Sequence, residues 1–147
     1  MFSLFFFLIG CKETIEPDGI WTVTVTGQTT DCVDSSEGFL KDYEYSLFYD
    51  GTFVEIKVDG ENFATGEIRG CALSYESAVY LEENASGNFR WQINGAADIE
   101  GAAGGCGDVP DNLDWFGTET LTVVSSENDS VEVDCQYEMT TEGVVQQ

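Results

Sequence analysis

Five cysteines and 28 carboxylates are the side chains of this 147-residue chain with the most chemistry to offer. Cys32, Cys71, Cys106 and Cys135 follow one another at intervals of 39, 35 and 29 residues, too widely spaced for a zinc knuckle, whose ligands come in close pairs. Cys11 stands apart from them, at the end of the apolar run Phe2 to Ile9 and directly after Gly10. The chain has no histidine, which removes Ser-His-Asp triads, Cys-His pairs and His-bearing metal sites. It has no Gly-x-Ser-x-Gly elbow and no phosphate-cradling Gly-Lys-Ser/Thr loop, and its Gly-rich stretch "GAAGGCGD" leads into no amphipathic helix that could hold a phosphate. Two carboxylates would serve a glycosidase, but among 28 acids such a pair arises by chance; neither an enzyme nor a cofactor is expected. Asp108, Asp111 and Asp114 in "DVPDNLDWFG" are oxygen ligands of the kind calcium takes. They lack the order of an EF-hand loop, so they stand as a calcium candidate and not as an expected metal site.

The charge balance limits partners. Against the acids stand only Lys12, Lys41, Lys57, Arg69 and Arg90, for a net charge of -23. No basic patch can be assembled from them, which excludes nucleic acid and disfavours anionic membrane surfaces. With 42% hydrophobic and 13% aromatic residues the composition is that of a folded domain, coated by its acids, not of a disordered chain.

An apolar run of eight residues is far short of the ~20 that span a bilayer as a helix, but it matches the hydrophobic part of a secretory signal. The sequence that closes it, Leu8-Ile9-Gly10-Cys11, resembles the lipobox of bacterial lipoproteins. The resemblance implies that residues 1–10 are a signal peptide, that the Cys11 thiol receives a diacylglyceryl group by thioether linkage, and that a peptidase then cuts before Cys11 and frees an amine for acylation. Two or three acyl chains make a stable anchor where one does not. Lys12 in place of Asp implies sorting to the outer membrane of a Gram-negative cell. No Lys or Arg precedes the apolar run, which is compatible with a start upstream of Met1. Residues 11–18 then form a polar, lipidated tether, and removing Cys11 from the count leaves four cysteines, an even set that reads as two disulfides in an exported protein.

The body of the chain alternates with the period of a strand. "WTVTVT" sets Trp21, Val23 and Val25 against Thr22, Thr24 and Thr26. Asp50-Gly51 and Asp59-Gly60 lie between runs of β-formers and predict two hairpins joining strands at about 43–49, 52–58 and 61–69. "CALSYESAVYLE" predicts a strand with Cys71, Leu73, Tyr75, Ser77, Val79 and Leu81 on one face, and "NFRWQINGAADIE" one with Phe89, Trp91, Ile93, Gly95, Ala97 and Ile99 together. A loop is expected over about 101–117, then strands over "TETLTVVSS" and "SVEVDCQYEMT", the last with Val131, Val133, Cys135, Tyr137 and Met139 inward.

Eight strands in sequential hairpins predict an all-β, single antiparallel eight-stranded meander that closes into a barrel over residues 19–141, leaving 142–147 as a tail. Gly19-Ile20-Trp21 resembles the Gly-x-Trp that opens the first strand of lipocalins, which implies a lipocalin-like barrel with its Trp closing one end. The Arg that packs on that Trp in lipocalins has no counterpart, since no Arg or Lys follows Arg90. Hairpin geometry sets Cys71 opposite a residue near 99 and so near Cys106, leaving Cys32 for Cys135; the other two connectivities stay open. Trp115 and Phe116 are expected on the acidic loop, as a ligand rim or as a plug. The expected function is that of a membrane-anchored barrel holding a small apolar or amphipathic ligand, with small inward residues such as Gly95 and Ala97 leaving room. The alternative is an envelope structural or interaction module with a filled core, favoured by the many inward aromatics; an interior of a few hundred cubic ångströms decides between them.

Overall fold

A computed structural model describes residues 18–32, 42–83, 85–101 and 113–146, and every regular element among them is a β-strand. In chain order these are β1 (Gly19–Thr30), β2 (Asp42–Asp50), β3 (Phe53–Val58), β4 (Glu61–Arg69), β5 (Ala72–Ser77), β6 (Tyr80–Glu82), β7 (Phe89–Gly101), β8 (Leu113–Ser126) and β9 (Gln136–Val145). All pairings are antiparallel, each of β1 to β4 pairs with the next strand, and β1 also pairs with β9. β6 carries on from β5 along the same partner, β7, so nine segments form the eight staves of a closed up-and-down barrel. This is the architecture that the sequence predicts.

The hairpins follow from turn chemistry. β2–β3, β3–β4 and β4–β5 each turn over two residues, and Gly51, Asp59, Gly60 and Gly70 supply the positive φ that such turns demand. Period-two alternation then sends Trp21, Val23, Val25, Tyr45, Leu47, Val54, Ile56, Leu73 and Tyr75 into one buried core. At the end where β1 begins, Trp21 and Trp115 are both wholly buried, with ring centroids 6.1 Å apart, and Ile68 and Ile99 fill in beside them. That end is closed by side chains.

Several details differ from expectation. β8 starts at Leu113, so Trp115 and Phe116 lie on a strand and not on a loop. β7 runs to Gly101 on one side and β9 to Val145 on the other, and pairing with both (Phe116 with Asp98 and with Glu142) overrides the weak β-propensity of a Gly- and Asp-rich stretch. β9 begins only at Gln136 and takes in residues 142–145, expected as tail, because they pair with β1 (Trp21 with Val145). Val131 and Val133 precede it in a turn fixed by Asn128, whose carbonyl accepts from the Val131 N–H and whose Oδ1 accepts from the Ser130 N–H. Val133 is 49% exposed there, not inward.

The predicted 71–82 strand breaks at Ala78 and Val79. Ser77 causes it: its hydroxyl donates to the Ala78 carbonyl and accepts the Ile93 N–H at 2.9 Å, taking the place of a backbone rung. The alternation reverses across the break, so that Val79 and Leu81 face out and Tyr80 turns toward the barrel axis.

Cys32 and Cys135 form a disulfide, with Cα atoms 5.1 Å apart. The Cys71 carbonyl accepts from the Ile99 N–H, the facing relation expected of it. Cys71 is itself oxidised, but Cys106 lies outside the described residues, so of the two expected bridges one is shown.

Candidate functional site

The barrel is filled at one end and hollow at the other. A cavity of about 800 Å³ occupies the end where β1 finishes and β2 begins. Period-two alternation supplies its wall: Tyr43 and Tyr45 from β2, Val58 from β3, Phe63 from β4, Phe89, Trp91 and Ile93 from β7, Leu121 and Val123 from β8, and Tyr137 from β9. Tyr80 joins them only because Ser77 flips the strand. The Cys32–Cys135 bridge and the 127–134 turn border the cavity, and Glu61, Glu82 and Glu132, all exposed, stand at its rim.

Five of the wall residues, from β2, β4, β6 and β7, form a continuous aromatic ribbon. Tyr43 stacks near Tyr45 (6.0 Å between centroids), Tyr45 near Phe63 (5.6 Å), Phe63 near Tyr80 (5.7 Å) and Tyr80 near Trp91 (4.8 Å), every pair within 27° of parallel. The Tyr80 hydroxyl is pinned by donating to the Asn62 and Phe63 carbonyls. The five rings give this side of the cavity a continuous aromatic lining.

Beneath the cavity, one inward layer below Leu121 on β8, lies Glu119, 1% exposed. Its Oε1 accepts the Tyr45 hydroxyl at 2.8 Å and the Tyr75 hydroxyl as well. Its Oε2 has no hydrogen-bond partner among the described residues. Burial pushes the Glu119 carboxyl above its ordinary value, and the two phenol hydrogen bonds pull the other way without cancelling it. Burial and then the Glu119 charge raise the Tyr43 hydroxyl to about 12, and raise Tyr45 and Tyr75 in the same order of causes. All three tyrosines are therefore neutral donors at physiological pH.

Gly95 makes this layer fit. It faces Tyr75 so closely that an added Cβ would fall 2.0 Å from the ring, so the space an inward glycine leaves is taken by the tyrosine and adds nothing to the cavity. Trp115 packs below, 5.9 Å from Tyr75 and 6.1 Å from Tyr45, its Nε1 donating to Thr141 Oγ1 at 3.1 Å.

The expected site residues divide accordingly. Cys32 and Cys135 are brought together at the cavity rim. Trp115 is core at the closed end, and Phe116 is 51% exposed on the outer surface of β8, so neither lines the cavity. Cys11, Cys106, Asp108 and Asp111 lie outside the described residues, Asp114 lies on β8, and no metal-holding group of His, Cys, Asp and Glu gathers among the described residues. Glu119 is the residue that sequence reasoning passed over. Carrying the alternation of Leu121 and Val123 back by one period places it inward, a position a carboxylate occupies only for a reason.

No family model, no curated protein and no solved structure matches the chain.

Proposed function

We propose that this chain is an exported, lipid-anchored binding protein whose barrel takes one small ligand with an extended apolar or aromatic body. The observation that carries the reading is the cavity of about 800 Å³, within the range that encloses a drug-sized molecule, bounded chiefly by aromatic and aliphatic side chains. A barrel filled at both ends would have favoured the interaction module instead.

The anchor rests on the lipobox-like Leu8-Ile9-Gly10-Cys11 and on geometry compatible with it. Gly19 opens β1 at the filled end, the end opposite the cavity, so a bilayer tethered through residues 11–18 adjoins the filled end and leaves the cavity facing away. The second bridge, Cys71–Cys106, belongs to the same reading: an oxidised, exported domain with no free thiol after lipidation of Cys11.

Native mass spectrometry of protein extracted from membranes in mild detergent tests both halves. The expected result is a chain beginning at an acylated Cys11 and carrying one small-molecule adduct that organic extraction removes. An unmodified chain starting at Met1 refutes the anchor, and failure to bind any apolar probe after extraction refutes the cavity's role.

A further inference from the structure

The charged side chains around the cavity are of one sign only. No lysine or arginine is among the described residues that line it, whereas Glu61, Glu82 and Glu132 rim it and Glu119 lies beneath its floor. Tyr45 connects the two levels: its ring lines the cavity and its hydroxyl proton is committed to Glu119 Oε1. With that proton committed, the Tyr45 oxygen has acceptor lone pairs left and no donor. Around it run the stacked rings from Tyr43 to Trp91, which line the cavity with aromatic surface. A buried carboxylate with an unpartnered oxygen, Glu119 Oε2, completes the set.

We propose that the ligand is an organic cation, a protonated amine on a flat aromatic or apolar body, whose body lies along the aromatic ribbon and whose charge is balanced by Glu119 through Tyr45. This deepens the binding reading above and rests on it. A lining that holds carboxylates and no basic side chain among the described residues, above the buried Glu119, favours a positive head over a neutral or negative one, and the acidic rim, with a chain charge of -23, concentrates cations at the entrance. An anion meets no lysine or arginine among the described residues of the lining.

Three probes with a common naphthylmethyl body separate charge from shape: 1-naphthylmethylamine, 1-naphthylmethanol and the anion of 1-naphthaleneacetic acid, titrated calorimetrically at neutral pH into the full chain in a non-ionic detergent, with empty micelles as blank. The amine is expected to bind at least tenfold more tightly than the alcohol, and the acetate more weakly than either. Glu119→Gln keeps an acceptor for both tyrosines and removes the charge. It is expected to lower amine affinity about tenfold while leaving alcohol affinity within twofold, a split that a merely structural role would not produce. Equal affinity of wild-type protein for amine and alcohol, or an equal loss of both in the variant, overturns the cation proposal while leaving the cavity's role intact. Absence of binding by all three probes overturns the two together. Should Glu119→Gln not fold, the wild-type ranking of the three probes decides alone.

Discussion

Glu119 is held by opposing forces, and the balance has a measurable sign. Burial raises its carboxyl pKa above the ordinary 4.5, with the hydroxyls of Tyr45 and Tyr75 bonded to it and Tyr43 nearby as the facing titratable groups. The folded chain then keeps a proton that the unfolded chain releases, so stability is fully present below about 4.5 and declines as pH rises through the raised value. Glu119→Gln has no proton to lose. The expected outcome is that the difference in stability between wild type and variant shifts steadily in the variant's favour as pH rises from 4 toward neutrality, read from urea midpoints at each pH. A difference that stays constant across that range refutes the raised pKa. Gly95 gives a second test at the same scale: Gly95→Ala must push Tyr75 from its place over the glycine and is expected to cost about 1–3 kcal/mol, read by the same denaturation.

At the level of elements, alternation and turn chemistry together predict β2, β3 and β4 to within about a residue, because Asp50-Gly51 and Asp59-Gly60 fix both the turns and the register. The inward face of β7 is as legible, from Phe89 to Ile99. Local pattern fails where a non-local partner or a single side chain decides. β8 gains Leu113 to Gly117 only because two strands flank it, and the reversal after Ser77 depends on a hydroxyl replacing a rung. Since that reversal brings Tyr80 to the cavity, the aromatic ribbon could not be read from the sequence. The position of β9 makes a matched pair of predictions: Val133→Asp, in the exposed turn, is expected to change stability by less than about 0.5 kcal/mol, whereas Val123→Asp, buried on β8, is expected to cost several kcal/mol. Denaturation midpoints that fail to separate refute the turn at 127–134. Replacing Cys32 and Cys135 together by Ser opens a loop of 103 residues and is expected to cost about 3–5 kcal/mol in the chain-entropy model.

At the scale of the whole molecule, charge is the dominant physical fact. With only two ion pairs among the described residues, Lys57–Glu55 and Arg69–Glu67, the surface acids mostly repel one another. Raising sodium chloride from about 10 mM to about 150 mM shortens the screening length from roughly 30 to 8 Å, and the thermal midpoint is expected to rise with it. A midpoint that falls with added salt would contradict that picture. For location, Cys11→Ser is expected to abolish fatty-acid labelling and membrane retention together; labelling equal to wild type would refute the lipid anchor.

The seam between β1 and β9 joins Trp21 to Val145 and Thr30 to Tyr137, the earliest strand of the barrel to the latest. Synthesis from the amino end delivers β1 long before β9 exists. Until then β1 can pair with β2 alone, and its other edge stays open. The barrel thus cannot close until its final strand has been made. The same feature leaves each half-made chain with one bare strand edge, the interval on which a holding chaperone would act.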